Sequence, residues 1–327
     1  MCCKGLIEIA IYVIYVDNGS HCLSFFNLDV HCVSAADKPR KIRTSASNNA
    51  DCNNADSHFT AITPYVSMHN DICTVALDKN TTIIIVPFHK QWAIDGSVGA
   101  SFPAIRAVNQ NVIQKAPCSV GILVDRCQMG CSQSVLTGRS LFSVATLFIG
   151  GADDREALAY SSLLAEHPHI SLTLIWLKIL SQETYENKNE KTLDSELINQ
   201  FRANSMGQER IVYREEMVKD AVGTTRVLRT MEDGCDLFIV GRYHKPHSPL
   251  IYGLTHWSEC PGLGVLGDML ATSNFRFSVL VVQQQQPERG FQDATANKPS
   301  TCSGIVDTKM YQAPFDTKDG LDFSRSV

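Results

Sequence analysis

The chain has 327 residues, 44 % hydrophobic and 19 % charged, with 29 basic and 34 acidic residues and a formal net charge of −5. That balance excludes a strongly basic nucleic-acid face, and no run of like charges forms a polybasic arm. Leu6–Val16 is broken by Glu8 and Ile170–Leu180 by Lys178, so neither reaches the ~18–20 apolar residues of a spanning helix, and the expectation is a soluble chain.

The opening MCCKGLIEIAIYVIYVD alternates like a strand and carries an acid, which is not the pattern of a signal peptide. Ile9–Val16 is β-branched and aromatic and reads as a buried strand. Residues 18–57 are polar and poor in long periodic runs, and most of the segment is expected to be an irregular or disordered insert. Asp71–Asp78 has helical spacing, Thr81–Val86 is a strand, and Phe102–Lys115 places Ile105, Val108, Val112 and Ile113 on one helical face. Pro117 ends that helix, and Ser119–Val124 is a strand.

Residues 126–140 read as a linker, after which a second cycle begins. Ser143–Ile149 is a strand, Gly150 and Gly151 turn the chain, and Asp153 or Asp154 caps a helix over Arg155–Ala165. A strand at Ile170–Leu177, a helix around Asp194–Ala203, a short strand at Ile211–Tyr213 and a helix over Asp220–Met231 follow. Leu237–Val240 and Phe277–Val282 are the last strands, with a short helix about Asp268–Ala271 between them. From residue 286 to 327 the composition is that of a disordered tail.

Strand and helix in alternation, with nearly continuous apolar strands, predict an α/β fold whose parallel sheet is covered on both faces. One figure occurs twice. IIIVPFHK at 83–90 and LFIVGRYHK at 237–245 each run from an apolar strand through a breaking residue and an aromatic to His-Lys. Each is followed by a helix and a closing strand, SVGILV or FSVLVV. The repeat predicts two duplicated α/β modules, 1–125 and 141–285, each presenting an aromatic-His-Lys tip at a strand's carboxyl end.

The segments IIIVPFHKQWAIDGS, NQNVIQKAPCSVGILVDR, FIGGADDREALAYSSLLAEHP, DLFIVGRYHKPHSP and GLTHWSECPGLGVLGDMLATS resemble the cytosolic carboxyl-terminal region of plant cation/proton exchangers, of the monovalent cation/proton antiporter superfamily. The resemblance spans roughly residues 60–285. Each half is similar to a universal-stress-protein (Rossmann-like) module, as in the closing run APCSVGILV. The family's transmembrane domain has no counterpart in this sequence. Ile9–Val16 resembles the second strand of such a module, so the first module is expected to be truncated at its amino end. The resemblance implies a cytosolic regulatory region of a potassium or other monovalent cation/proton antiporter, acting in cation and pH homeostasis on the cytosolic face of an endomembrane or the plasma membrane, with the membrane transport domain as its partner. It leaves a homodimer open. The alternatives are a free-standing nucleotide-binding stress-protein module, cytoplasmic and soluble, or a non-functional truncated fragment.

The candidate regulatory or ligand residues are His89, Lys90, His244 and Lys245 at the two tips, Asp153 and Asp154 at a strand end, and Arg106. Histidines titrate near neutrality, which suits a sensor; a hydrogen-bonded structural histidine is an equal alternative. In stress proteins an acid near Asp153–Asp154 can hold a nucleotide, whereas simple helix capping there is worth about 1 kcal/mol and needs no ligand. The phosphate cradle of ATP-binding stress proteins, Gly-x-x-Gly followed nine residues later by Gly-Ser or Gly-Thr, is incomplete twice. Gly96-x-x-Gly99 leads to Asn109-Gln110, with the Gly-Ser place falling near Arg106-Ala107, and Gly264-x-x-Gly267 leads to Phe277-Ser278. Trp257, Cys260 and Pro261 form a loop with an aromatic anchor. None of the 12 cysteines forms a Cys-x-x-Cys pair, so free thiols and no metal site are expected. No Gly-x-Ser-x-Gly elbow suggests an enzyme, and no cofactor is implied.

Overall fold

A computed structural model describes residues 8–16, 23–32, 40–45, 57–92, 98–126, 141–180, 188–232, 234–254 and 258–285. The carboxyl-terminal tail from 286, most of the linker, His256 and Trp257 lie outside them.

Residues 141–285 form five strands, β9 (Phe142–Phe148), β10 (Ile170–Ile179), β11 (Ile211–Val218), β12 (Leu237–Gly241) and β13 (Ser278–Gln283). They are joined by α3 (Ala152–Leu164), α4 (Lys188–Ser205), α5 (Ala221–Arg229) and α6 (Gly264–Thr272). All the pairings among these strands are parallel and their spatial order is β11-β10-β9-β12-β13. β9 is thus flanked by β10 on one side and β12 on the other, and the direction of winding reverses there. In an open parallel sheet such a reversal leaves a crevice at the strands' carboxyl ends.

The earlier half contributes β5 (Ile83–Pro87) and β8 (Ser119–Val124), parallel neighbours, with α1 (Tyr65–Asp78) and α2 (Pro103–Lys115). A short hairpin of β6 (Lys90–Trp92) and β7 (Val98–Ser101) follows β5. α2 buries Ile105, Val108 and Val112 as its spacing predicts, and adds Asn109, whose amide donates to the Pro87 carbonyl at 2.8 Å. α1 starts at Tyr65, six residues before Asp71, because Pro64 supplies an extended entry and Met68 and His69 extend the buried face of Ile72 and Ala76. β11 is also longer than expected, since Leu172 through Ile179 of β10 pair along its whole length.

Two expectations need correction. Residues 18–57 are not all irregular: β2 (Leu23–Cys32) and β3 (Arg40–Ser45) fall within them, followed by β4 (Ser57–Thr63). The alternation of Phe26, Leu28, Val30 and Cys32 with Asn27, Asp29 and His31 is a strand signal inside a polar segment. β1 (Glu8–Val16) does not serve as a parallel second strand. It pairs antiparallel with both β5 and β2. The parallel frame therefore covers the sheet from β11 to β13 and the β5–β8 pair; beyond β5 the pairings are antiparallel except that of β2 with β4.

The two closing strands, β8 and β13, pair antiparallel, Val279 with Val124 through Gln283 with Val120. One sheet of 11 strands thereby runs through both halves. Over the part of the sheet from β10 to β5, helices cover both faces. Ile84 and Val86 pack with α1, α2, α5 and α6 on one, around Met68, Val112, Leu228 and Leu266; Ile83 and Ile85 share the other with α3 and α4, around Leu158, Leu164, Ile198 and Phe201. Since β5 runs parallel to β8 and β12 parallel to β13, the antiparallel seam points the carboxyl ends of β5 and β12 to opposite edges of the sheet. The two His-Lys tips do not share an edge.

Candidate functional site

β9 ends at Phe148, and the chain turns through Ile149, Gly150 and Gly151 into α3. Gly150 and Gly151 have φ of 128° and 110°, a region that side chains disfavour and glycine tolerates. Asp153 and Asp154 lie in the first turn of α3, but neither is its N-cap: that place is taken by Gly151, which has no side chain to cap with. Both carboxylates turn toward the sheet instead, where the partial positive charge of the helix terminus also favours them.

Asp154 is wholly enclosed and fully used. Its Oδ2 accepts the amides of Ile149 at 2.8 Å and Gly150 at 2.9 Å. Its Oδ1 accepts the amide of Gly241 at 3.1 Å and lies 3.0 Å from His244 Nε2. Asp153 takes the next layer: Oδ2 accepts the Tyr243 amide and Oδ1 the Gln284 amide, both at 2.9 Å. The two carboxylates thus stitch the carboxyl ends of β9, β12 and β13 across the winding reversal. Gly241 is required at this point, because a Cβ there would strike Asp154 Oδ1 and the Asp154 amide.

His244 and Asp154 form an ion pair whose side chains are 1 % and 0 % exposed. Burial by itself favours neutral imidazole. The charge of Asp154, its hydrogen bond and the nearby charge of Asp153 outweigh burial, so the His244 pKa is raised. The Asp153 carboxyl is pushed up by burial, against the lowering effect of its two amide donors. His244 Nδ1 is buried with no hydrogen-bond partner, so the ring is held through one nitrogen.

The other tip is built differently. His89 is half-buried, its ring centroid 4.2 Å from that of Phe88. Burial lowers its pKa, and the cations of Arg106 and Lys90 lower it further. Arg106 is an exposed residue in the first turn of α2. Lys90 Nζ lies 3.2 Å from Cys260 Sγ, whereas Lys245 is exposed. The repeated dipeptide therefore yields one buried histidine facing a carboxylate, its pKa raised, and one partly exposed histidine facing cations, its pKa lowered. The acid that decides this belongs to the β9–α3 corner, and β5 has β1 antiparallel on the corresponding side.

The glycines of the incomplete phosphate patterns have packing roles. Gly264, at φ 73°, opens α6 with its α-carbon against the Arg242 carbonyl, and a Cβ on Gly267 would come within 2.6 Å of Val281 Cγ2. Gly99 lies in β7 rather than at a helix terminus, and Gly96 is outside the described residues. The amides at the β9–α3 corner already face protein carboxylates. Asp154 takes those of Ile149 and Gly150, and Asp194 that of Gly151 at 3.2 Å. Arg155, 2.6 Å from Asp194 and 2.7 Å from Glu190, fixes that second acid. Asp194, Arg155 and the spacing need at Gly241 are absent from the sequence-based candidates, because each acts on a residue distant in the chain. Among the described residues no group of three His, Cys, Asp or Glu side chains could hold a metal ion, and no helix is long and apolar enough to cross a membrane.

Residues 141–283 match the family model for the plant cation/H+ antiporter C-terminal domain, and residues 37–128 match that for a plant cation/H+ antiporter domain. The chain belongs to this family. It is 46 % identical over 267 residues to cation/H+ antiporter 14 of Arabidopsis thaliana, covering 81 % of this chain and 32 % of the relative. Against cation/H+ symporter 13 of the same plant the identity is 49 % over 232 residues, covering 70 % of this chain and 27 % of that one. Cation/H+ antiporter 15 is 42 % identical over 289 residues, covering 79 % and 35 %. The chain therefore spans about a third of the length of these relatives. Among solved structures, a universal stress protein from Archaeoglobus fulgidus aligns over 70 % of each chain at 14 % identity with a TM-score of 0.37. The α/β assignment rests on the strand order of the antiporter region itself.

Proposed function

We propose that this plant cation/H+ antiporter region is regulatory, and that it biases a membrane transport domain according to proton concentration on the cytosolic side of a plasma membrane or endomembrane. The whole protein would exchange potassium or another monovalent cation for protons. The observation that carries the reading is the fully buried His244–Asp154 pair at the reversal between β9 and β12. In its charged form the pair holds the tip after β12 against the β9–α3 corner. As pH rises through the elevated pKa of His244, the imidazole loses its charge and Asp154 keeps only a neutral partner. A buried carboxylate left without a charged partner is costly, so the tip and corner shift toward a looser arrangement.

His89 extends the response in the other direction. Its pKa is lowered, so it gains a proton only below the ordinary histidine range. The two histidines would then respond above and below the ordinary histidine range. The test is cation/proton exchange by an intact antiporter carrying this region, measured across pH. Replacing His244 by Gln is expected to flatten the alkaline limb, and replacing His89 and His244 together to flatten both. A pH profile unchanged in the double variant overturns the sensor.

A further inference from the structure

We propose that Lys90 and Cys260 are a modification site, at which peroxide joins the two side chains through a covalent sulfur–nitrogen bond. Lys90 Nζ lies 3.2 Å from Cys260 Sγ although 170 residues separate them. Both groups are positioned from the backbone. Lys90 lies in β6, paired with Ser101 of β7. The Cys260 amide donates to Asp268 Oδ1 at 2.8 Å, and its carbonyl accepts the Leu263 amide at 2.9 Å. Asp268 is itself 3 % exposed, so the thiol is held at the entrance to α6 with the ammonium on it.

The chemistry needs a peroxide and nothing further. Cys260 sulfur gives an electron pair to one peroxide oxygen, the O–O bond breaks, and the thiol becomes a sulfenic acid with release of one water. Lys90 loses one proton to solvent, and its free amine attacks the sulfur. The S–N bond forms, the S–O bond breaks, and the hydroxyl leaves with a second amine proton as water. The product is a sulfenamide; sulfur has lost two electrons and the peroxide has gained them. Cys260 is 4 % exposed, so a small oxidant reaches it by local opening, and a bulky one does not. Burial pushes the Cys260 thiol up, and the charges of Asp268 and Glu259 act the same way; the Lys90 ammonium opposes them, without reversing the direction. Once formed, the bond ties the hairpin after β5 to the start of α6, fastening one half of the sheet to the other. Neither His89 nor His244 takes part in this chemistry.

The experiment is hydrogen peroxide treatment of the 327-residue chain followed by peptide mapping, which is required because the chain has 12 cysteines. The expected product is a peptide pair joined at Lys90 and Cys260, lighter by about 2 Da than the two separate peptides. It is lost after dithiothreitol and absent from Lys90→Arg, which keeps the cation but offers a poor nucleophile. The proposal is overturned if Cys260 stays unmodified. It is equally overturned if Cys260 advances to sulfinic acid at the same rate in the parent chain and in Lys90→Arg with no joined peptide.

Discussion

His244 Nε2 sits 3.0 Å from Asp154 Oδ1, although the two residues are 90 positions apart in the chain, and neither side chain is open to solvent. His89, the matching residue of the repeated tip, has Arg106 and Lys90 as its charged neighbours instead of an acid. The same dipeptide thus carries opposite electrostatics in the two halves, and the two histidines should leave opposite marks on stability.

The pKa of His244 is raised in the folded chain, so its contribution to stability is complete below the unfolded value of about 6.5 and is lost as pH rises through the folded value. The pKa of His89 is lowered, so its contribution is complete above about 6.5 and is lost as pH falls toward the folded value. Thermal unfolding followed from about pH 5 to 9 should show a decline on each side. His244→Gln removes the alkaline decline and His89→Gln flattens the acidic one. An alkaline decline that persists in His244→Gln would assign it to another group.

Asp154→Ala deletes the acceptor of three amides and the partner of a buried histidine. Breaking a buried ion pair from one side costs about 3–5 kcal/mol, and orphaned amides add to it. Chemical denaturation should show a loss of at least that size. Loss below about 1 kcal/mol would mean that the corner repacks around the gap.

Gly241→Ala and Gly264→Ala test close approach. The first pushes a methyl group against Asp154, and the second places one against the Arg242 carbonyl at a positive φ that itself costs about 1–2 kcal/mol. Both are expected to destabilise the fold. Gly253→Ala, also at positive φ but with nothing within 4 Å, should cost only the conformational part. Equal losses in all three would remove steric contact as the cause.

The carboxylates of Asp154 and Asp194 occupy the amides at the β9–α3 corner that a phosphate would use. Calorimetry with ATP and with AMP is therefore expected to show no micromolar binding. Binding that Asp194→Asn strengthens would restore the nucleotide-binding alternative.

Arg126 follows β8 of the first half, and its guanidinium donates to the carbonyls of Ala271 at 2.5 Å and Ser273 at 2.8 Å, at the end of α6 in the second half. Hydrogen bonds from a charged group contribute about 1.5–3 kcal/mol, so Arg126→Ala should lower the midpoint of unfolding accordingly. An unchanged midpoint would show that solvent serves those carbonyls equally well.

Local pattern accounts for what could be read along the chain. The period of Ile105, Val108 and Val112 specified α2, and the apolar runs specified β5, β8, β12 and β13, because helix and strand each impose a fixed spacing on the buried face. The alternation in β2 was equally local, yet the polar composition around it obscured it. Pairing between distant segments had no such signature. That β8 meets β13 antiparallel, that β1 runs against β5, and that the two His-Lys tips consequently face opposite edges depends on which strands find each other across the sheet. Sequence could nominate His244, His89 and Asp154. Only the folded chain decides that His244 and Asp154 share a proton-dependent charge pair while His89 does not, since electrostatic coupling follows distance through the protein and not separation along the chain.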